Sequence, residues 1–270
     1  RNTKDNHLYA QIEALVKGYD LSGLQDILFE EGSVEDETGA VRLTINWNNL
    51  SILINVINGM ISDGISIQDK NFINRVIKHM SGQVLIYANV YHKQEGEPNQ
   101  EADNFARDFI ELRGRIISEG LKGSDATYSI TDSINYIKYI QSATKISPDL
   151  VPESAFQSLR EIFKNEPSLY SSVVYALSSY IKSGRDSVGA RSAFEVLLSI
   201  FADSKTAEEL ESTQETIASL LGVSKEEVGK LGDNELLEIF EKNRGHFEYA
   251  SGVVSTGDLD SLGLPADTVI

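Results

Sequence analysis

Residues 154–163 read SAFQSLREIF, and residues 192–201, 38 positions later, read SAFEVLLSIF. Six of the ten positions are identical, and apolar residues recur every three or four positions, which is typical of an amphipathic helix. The end of the pattern returns 39 positions further on, in Leu236, Ile239 and Phe240. This recurrence predicts that the C-terminal half is built from similar helical units.

The distance between the copies leaves room for a second helix in each unit, and helical apolar spacing predicts these helices over 168–183 and 206–221. Repeats that stack as helical hairpins need two helices per period, because one hairpin cannot cover its own apolar face. The sequence therefore predicts α-solenoid-like packing, with Phe163 and Phe201 at equivalent core positions and Phe240 in a less complete terminal unit. An irregular multi-helix bundle with at most one short strand is the alternative.

The same helical spacing continues through most of the chain and predicts an all-α fold of about ten helices, with helix over more than half of the residues. The exception is an alternation of apolar and polar residues that predicts one strand at 41–47. We expect a helical N-terminal region over 1–123 that contains this strand, a repeat region over 124–251 and a loosely ordered tail over 252–270.

The composition excludes several classes of function. The chain has 41 acidic and 24 basic residues, a formal net charge of −17, so its field repels nucleic acids and anionic membrane surfaces. It contains no cysteine, which excludes disulfides, thiolate metal sites and cysteine nucleophiles. No apolar run approaches the length of about 18–20 residues that a membrane span needs.

Residues 218–228 read ASLLGVSKEEV and resemble a helix-turn-helix in the spacing of alanine, glycine and valine. The resemblance implies a second helix that reads DNA. Here that helix would present Glu226 and Glu227 to the phosphates, and residues 203–241 contain 11 acidic residues against 3 lysines. We therefore interpret the segment as a structural corner and expect no binding of nucleic acid.

Known catalytic and metal-binding motifs are absent from the sequence. None of the four histidines, at positions 7, 79, 92 and 246, lies within four residues of another. The acidic segment 258–263, DLDSLG, has two ligand positions and the turn glycine of a calcium loop, but Leu262 and Val269 occupy the third and the bidentate ligand positions. We thus predict no catalytic residue, no cofactor and no metal, and the sequence favours a non-enzymatic role without deciding it.

Three glutamates, Glu208, Glu211 and Glu215, follow helical spacing within the helix predicted over 206–221. We call this group the glutamate stripe. It is either a solvated helix face or a docking surface for a basic protein partner.

The function that the sequence favours is a non-catalytic helical scaffold or adaptor that binds protein partners. One alternative is an exported bacterial effector or toxin component, which the acidity and the lack of cysteine suggest. Another is a helical carrier of a small apolar ligand. Its pocket would be lined by Trp47, Tyr87, Tyr91, Tyr136 and Tyr139. The cytoplasm and export stay open as locations, and so does the oligomeric state.

Overall fold

The computed structural model describes residues 3–35, 41–66, 68–77, 100–122, 130–184 and 187–251. The chain forms two compact units, which we call unit 1 (Arg1–Ala176) and unit 2 (Leu177–Ile270). The boundary predicted after residue 123 and the tail predicted over 252–270 lie outside the described residues and stay predictions.

Helices make up most of the described residues and more than half of the chain, which confirms the predicted all-α fold class. The helices are α1 (Thr3–Lys17), α2 (Leu21–Leu28), α3 (Trp47–Asp63), α4 (68–77), α5 (Gln100–Lys122), α6 (Ile130–Ile146), α7 (Ser154–Asn165), α8 (Tyr170–Ser183), α9 (Gly189–Asp203), α10 (Ala207–Leu221), α11 (Lys225–Val228) and α12 (Asp233–Ser251).

One antiparallel hairpin interrupts the helices of unit 1. Strand β1 (Phe29–Glu35) pairs with β2 (Val41–Ile45), with a register shift between Glu30 and Val34. The strand predicted at 41–47 is therefore present over 41–45, but the expectation of at most one strand is wrong. Its partner was missed because β1, which reads FEEGSVE, lacks the alternation of apolar and polar residues that marks a strand.

Unit 1 is organised around α5, which packs against α3, α6 and α7. Aromatic rings connect three of these helices, with ring centroids 5.5 Å apart for Trp47 and Phe105 and 5.4 Å apart for Phe109 and Tyr139. Phe105 and Phe109 stack on each other along α5 at 5.8 Å. These buried rings pack both α3 and α6 against α5.

Unit 2 is built from α9, α10 and α12, each of which packs against the other two. Helix α10 begins at a capping box, in which the Thr206 side chain accepts from the Glu209 backbone N–H and the Glu209 carboxylate accepts from the Thr206 N–H. It ends at Gly222, whose φ of +69° is a left-handed conformation that favours glycine. These local signals explain why the helix predicted over 206–221 forms there.

The repeated segment lies on α7 in unit 1 and on α9 in unit 2, and the two helices bury corresponding positions. The shared buried residues are Ala155, Phe156, Leu159 and Ile162 on α7 and Ala193, Phe194, Leu197 and Ile200 on α9. Phe163 is also buried, whereas Phe201 is only half-buried. The expectation that Phe201 is a core residue is therefore wrong, and Phe194 instead supplies the ring that meets α12, through Phe240.

Candidate functional site

The glutamate stripe lies on the solvent side of α10, where all three side chains are exposed. Its two C-terminal members contact one cation, since the Lys225 Nζ atom lies 2.5 Å from Glu211 Oε1 and 3.0 Å from Glu215 Oε1. Lys225 opens the next helix, α11, and the turn at Gly222 brings it back alongside α10. Two of the three predicted carboxylates therefore contact the same ammonium group, which belongs to Lys225 of this chain.

The electrostatics of this group follow from the contact. The hydrogen bond from Lys225 lowers the pKa of the Glu211 carboxyl, and the hydrogen bond to Glu211 raises the pKa of Lys225. Because both glutamates are largely in solvent, their contacts with the half-buried Lys225 add little to the stability of the fold. Its consequence is local, since the stripe can hold an ammonium group between carboxylates one helical turn apart.

Replacing Lys225 with methionine should move the pKa of Glu211 upward, toward its ordinary value of 4.5. A carboxyl whose pKa is lower in the folded state than in the unfolded state stabilises the fold at pH values above its unfolded pKa. This contribution is lost as the pH falls through the folded pKa. The pKa of Glu211, followed by the NMR shift of its side-chain carbonyl carbon, tests this. An unchanged pKa in Lys225→Met would contradict the contact.

The helix-turn-helix resemblance ends at the turn. The second helix, α11, has only four residues, and Val228 at its end is buried. Two side-chain hydrogen bonds stabilise this corner. Gln214 Nε2 donates to the Lys225 carbonyl oxygen at 2.7 Å. Asn243 Nδ2 donates to the Leu221 carbonyl oxygen at 2.7 Å. A helix of four residues is too short to lie along a DNA groove as a recognition helix does. The geometry fits the interpretation as a structural corner.

Unit 1 contains a cavity of about 210 Å³ between α3, α4, α5 and α6. Five isoleucines line it: Ile61, Ile65, Ile77, Ile116 and Ile117. Four polar side chains share the lining: Lys70, Asn74, Arg113 and Asp132. The cavity is thus an apolar space with a few charged groups at defined points, which is the usual character of a small-molecule site.

Arg113 is the most deeply placed of these charged groups, with 7% of the residue exposed. Its guanidinium lies 5.9 Å from the centroid of the Tyr139 ring, on which it rests as a cation on an aromatic face. Burial lowers the pKa of the guanidinium, and the nearby Tyr139 and Asp132 oppose that shift. Because a guanidinium is not deprotonated in proteins, the group keeps its charge at neutral pH.

The carrier pocket predicted from aromatic residues differs from this cavity. Trp47, Tyr136 and Tyr139 are buried in the core of unit 1, and none of them belongs to the cavity lining. Tyr87 and Tyr91 lie outside the described residues. The cavity is instead aliphatic, with Arg113 in its wall.

The sequence contains a signal for Arg113 in the spacing of its apolar neighbours on α5. On α5, Phe109, Leu112, Ile116 and Ile117 follow the helical spacing of a buried face, and all but the half-buried Ile116 are fully buried. Arg113 occupies a position on that same face. Burying a charged side chain among apolar residues costs free energy. An arginine on an apolar helix face therefore indicates a candidate functional residue.

Within the described residues, no cluster of three or more histidine, aspartate or glutamate side chains is arranged to hold a metal ion. Over the same residues, no helix combines the length and apolar character that crossing a membrane requires. Comparison with protein-family models, curated proteins and solved structures found no significant match to this chain.

Proposed function

We propose that this chain is a non-catalytic helical scaffold or adaptor whose unit 2 binds a basic protein partner through the glutamate stripe. The observation that carries the proposal is the contact of Glu211 and Glu215 with one lysine ammonium. The same arrangement of carboxylates suits a lysine side chain of a partner. Glu208 lies one turn earlier on the same helix and extends the acidic face beyond the Lys225 contact.

The wider charge distribution supports this proposal. The three glutamates belong to a segment, 203–241, with 11 acidic residues and 3 lysines. A field of this sign raises the rate at which a cationic protein meets the surface. The similar burial pattern of α7 and α9 supports a repeated helical architecture, which is the kind of framework that presents extended binding surfaces.

Binding of an octalysine peptide to the full chain tests the proposal. The variant Glu208→Gln, Glu211→Gln, Glu215→Gln should bind about three-fold or more weakly than the parent, since each exposed ion pair contributes about 0.2–1 kcal/mol. Affinity should fall as salt rises, because ions screen exposed charges beyond about 8–10 Å. Fluorescence anisotropy of a labelled peptide measures both effects.

The matched control neutralises three exposed acids of unit 1, through Asp26→Asn, Glu111→Gln and Asp149→Asn. It changes the net charge by the same amount and should retain nearly the parental affinity. If both triple variants lose affinity equally, the peptide senses only the overall charge, and the glutamate stripe is not the docking surface.

A second candidate function, the carrier of a small ligand, is favoured by the aliphatic cavity of unit 1. Its apolar lining and its few polar groups are those of a binding site for a small molecule, and its volume of about 210 Å³ is too small for a protein segment. The effector alternative rests on composition alone, and no contact among the described residues favours it.

A further inference from the structure

One face of α4 lines the cavity of unit 1. Lys70, Asn74 and Ile77 follow helical spacing on α4, and all three belong to the cavity lining. Isoleucines from α3 and α5 share the lining with them. Asn74, the middle member of the α4 face, therefore places a neutral amide, which can both donate and accept hydrogen bonds, beside an aliphatic wall.

The charged side chains of the lining already take part in interactions within the protein. Arg113, Lys70 and Asp132 each interact with other groups of the chain. The Arg113 guanidinium rests on the Tyr139 ring, and Asp132 acts on it electrostatically. A charged ligand would have to replace such interactions and also lose its own hydration, and both steps cost free energy. The lining therefore favours a neutral ligand.

The Asn74 amide has hydrogen-bonding capacity that the protein does not use. The residue is half-buried, and among the described residues its side chain has no hydrogen-bond partner. A ligand that shields this amide from water must supply a hydrogen bond in exchange, because a polar group that is buried without a partner is costly. The ligand therefore needs an uncharged group that forms hydrogen bonds.

The volume limits the size of the ligand. A dry cavity of about 150 Å³ holds benzene, which has six non-hydrogen atoms, so about 210 Å³ has room for roughly eight. The isoleucines suit an aliphatic or otherwise apolar body. Ile61 and Ile116 are only half-buried, so a ligand can reach this part of the wall from solvent.

We propose that the unit 1 cavity binds a small neutral molecule, with its apolar body against the isoleucines and one uncharged polar group, such as a hydroxyl, hydrogen-bonded to the Asn74 amide. This inference rests on the second candidate function, the carrier, and adds the chemical class of the ligand and a residue that determines specificity. It is independent of the glutamate stripe, which lies in unit 2.

Three compounds of the same size are the probes for the full chain: benzyl alcohol, ethylbenzene and benzylammonium. They differ only at the end of the side chain, which is a hydroxyl, a methyl or an ammonium group. Benzoate, with one more non-hydrogen atom, is the anionic comparison. Isothermal titration calorimetry at pH 7 should show that both neutral compounds bind. Benzylammonium and benzoate should each bind about ten-fold or more weakly than benzyl alcohol, because a charge loses its hydration in the cavity.

The variant Asn74→Leu should lower the affinity for benzyl alcohol about three-fold or more, the effect of one neutral hydrogen bond. The affinity for ethylbenzene should stay at least at the parental value, because ethylbenzene makes no hydrogen bond. Asn71→Leu is the matched control, since Asn71 lies on α4 at an exposed position outside the lining, and it should retain both affinities. If Asn74→Leu does not fold, as judged by circular dichroism, Asn74→Ala removes the same amide and should weaken benzyl alcohol similarly.

The outcomes separate this inference from the carrier function. Parental affinity for benzyl alcohol in a folded Asn74 variant, or binding of ethylbenzene alone, would overturn the recognition of a polar group by Asn74 and leave the carrier function standing. Binding of benzoate or benzylammonium as tight as that of benzyl alcohol would overturn the preference for a neutral ligand. Absence of binding by both neutral compounds would overturn the inference and the carrier function together.

Discussion

Replacing Phe194 with alanine is expected to lower the free energy of unfolding by about 3–5 kcal/mol, the range for a buried phenylalanine. Phe194 has no exposed surface, and its ring stacks on that of Phe240 with the centroids 4.4 Å apart and the planes 7° from parallel. The substitution would leave a cavity where α9 meets α12. Urea unfolding of the full chain, followed by circular dichroism, measures the change.

Phe201→Ala is the matched control on the same helix. Phe201 is half-buried, so its loss should cost about 1–2 kcal/mol, in proportion to the smaller apolar area that it removes from water. Phe240→Ala should cost more than Phe201→Ala, because Phe240 is buried. The repeat deduced from sequence predicts the opposite order. A larger loss for Phe201→Ala than for Phe240→Ala would therefore contradict the burial of these two rings described here.

The double variant Phe194→Ala, Phe240→Ala shows whether the two rings act as a pair. An aromatic pair contributes about 0.5–1.5 kcal/mol beyond the area that it buries. The two single losses should therefore fail to add in the double variant by about that amount. Strict additivity would mean that the stacked geometry itself contributes nothing.

Elements fixed by signals close together in sequence could be predicted. The helix predicted over 206–221 is observed as Ala207–Leu221, because Thr206, Glu209 and Gly222 define its ends within a turn of the helix itself. The all-α class followed in the same way from helical spacing. The strand at 41–45 could be predicted from its alternation of apolar and polar residues. Its partner β1 has no such alternation and forms by pairing with β2, so its own residues did not predict it.

The candidate sites were harder to predict because they join distant residues. The unit 1 cavity brings together positions from Ile61 to Asp132, and no local pattern shows that four helices leave a space there. The glutamate stripe was found by spacing, but its contact with Lys225 was not, since that residue lies beyond the turn at Gly222. Spacing along one helix cannot identify a cation supplied by the next.

Replacing Gly114 with alanine is expected to lower the free energy of unfolding by about 1–3 kcal/mol, the usual cost of an overpacked core. Gly114 lies on α5 where it meets α6 and α7. A methyl carbon there would stand 2.5 Å from both Ser158 Oγ and Tyr136 Oη. Tyr136 is fully buried and its hydroxyl donates to the Ile110 carbonyl oxygen, so the ring cannot move aside without losing packing.

The control for Gly114→Ala is Gly59→Ala on α3, where the nearest atom to a new methyl group is Tyr9 Oη at an ordinary 3.5 Å. There the substitution should be neutral or stabilise the fold by up to about 1 kcal/mol, since alanine has a higher helix propensity than glycine.

A Tyr136→Phe, Ser158→Ala background removes both obstructing oxygens, so adding Gly114→Ala to it should cost less than about 1 kcal/mol. Thermal and urea unfolding of the four variants give these differences. The close approach of α5, α6 and α7 is refuted if Gly114→Ala costs as much in that background as in the parent, because the loss would then arise from something other than the two oxygens.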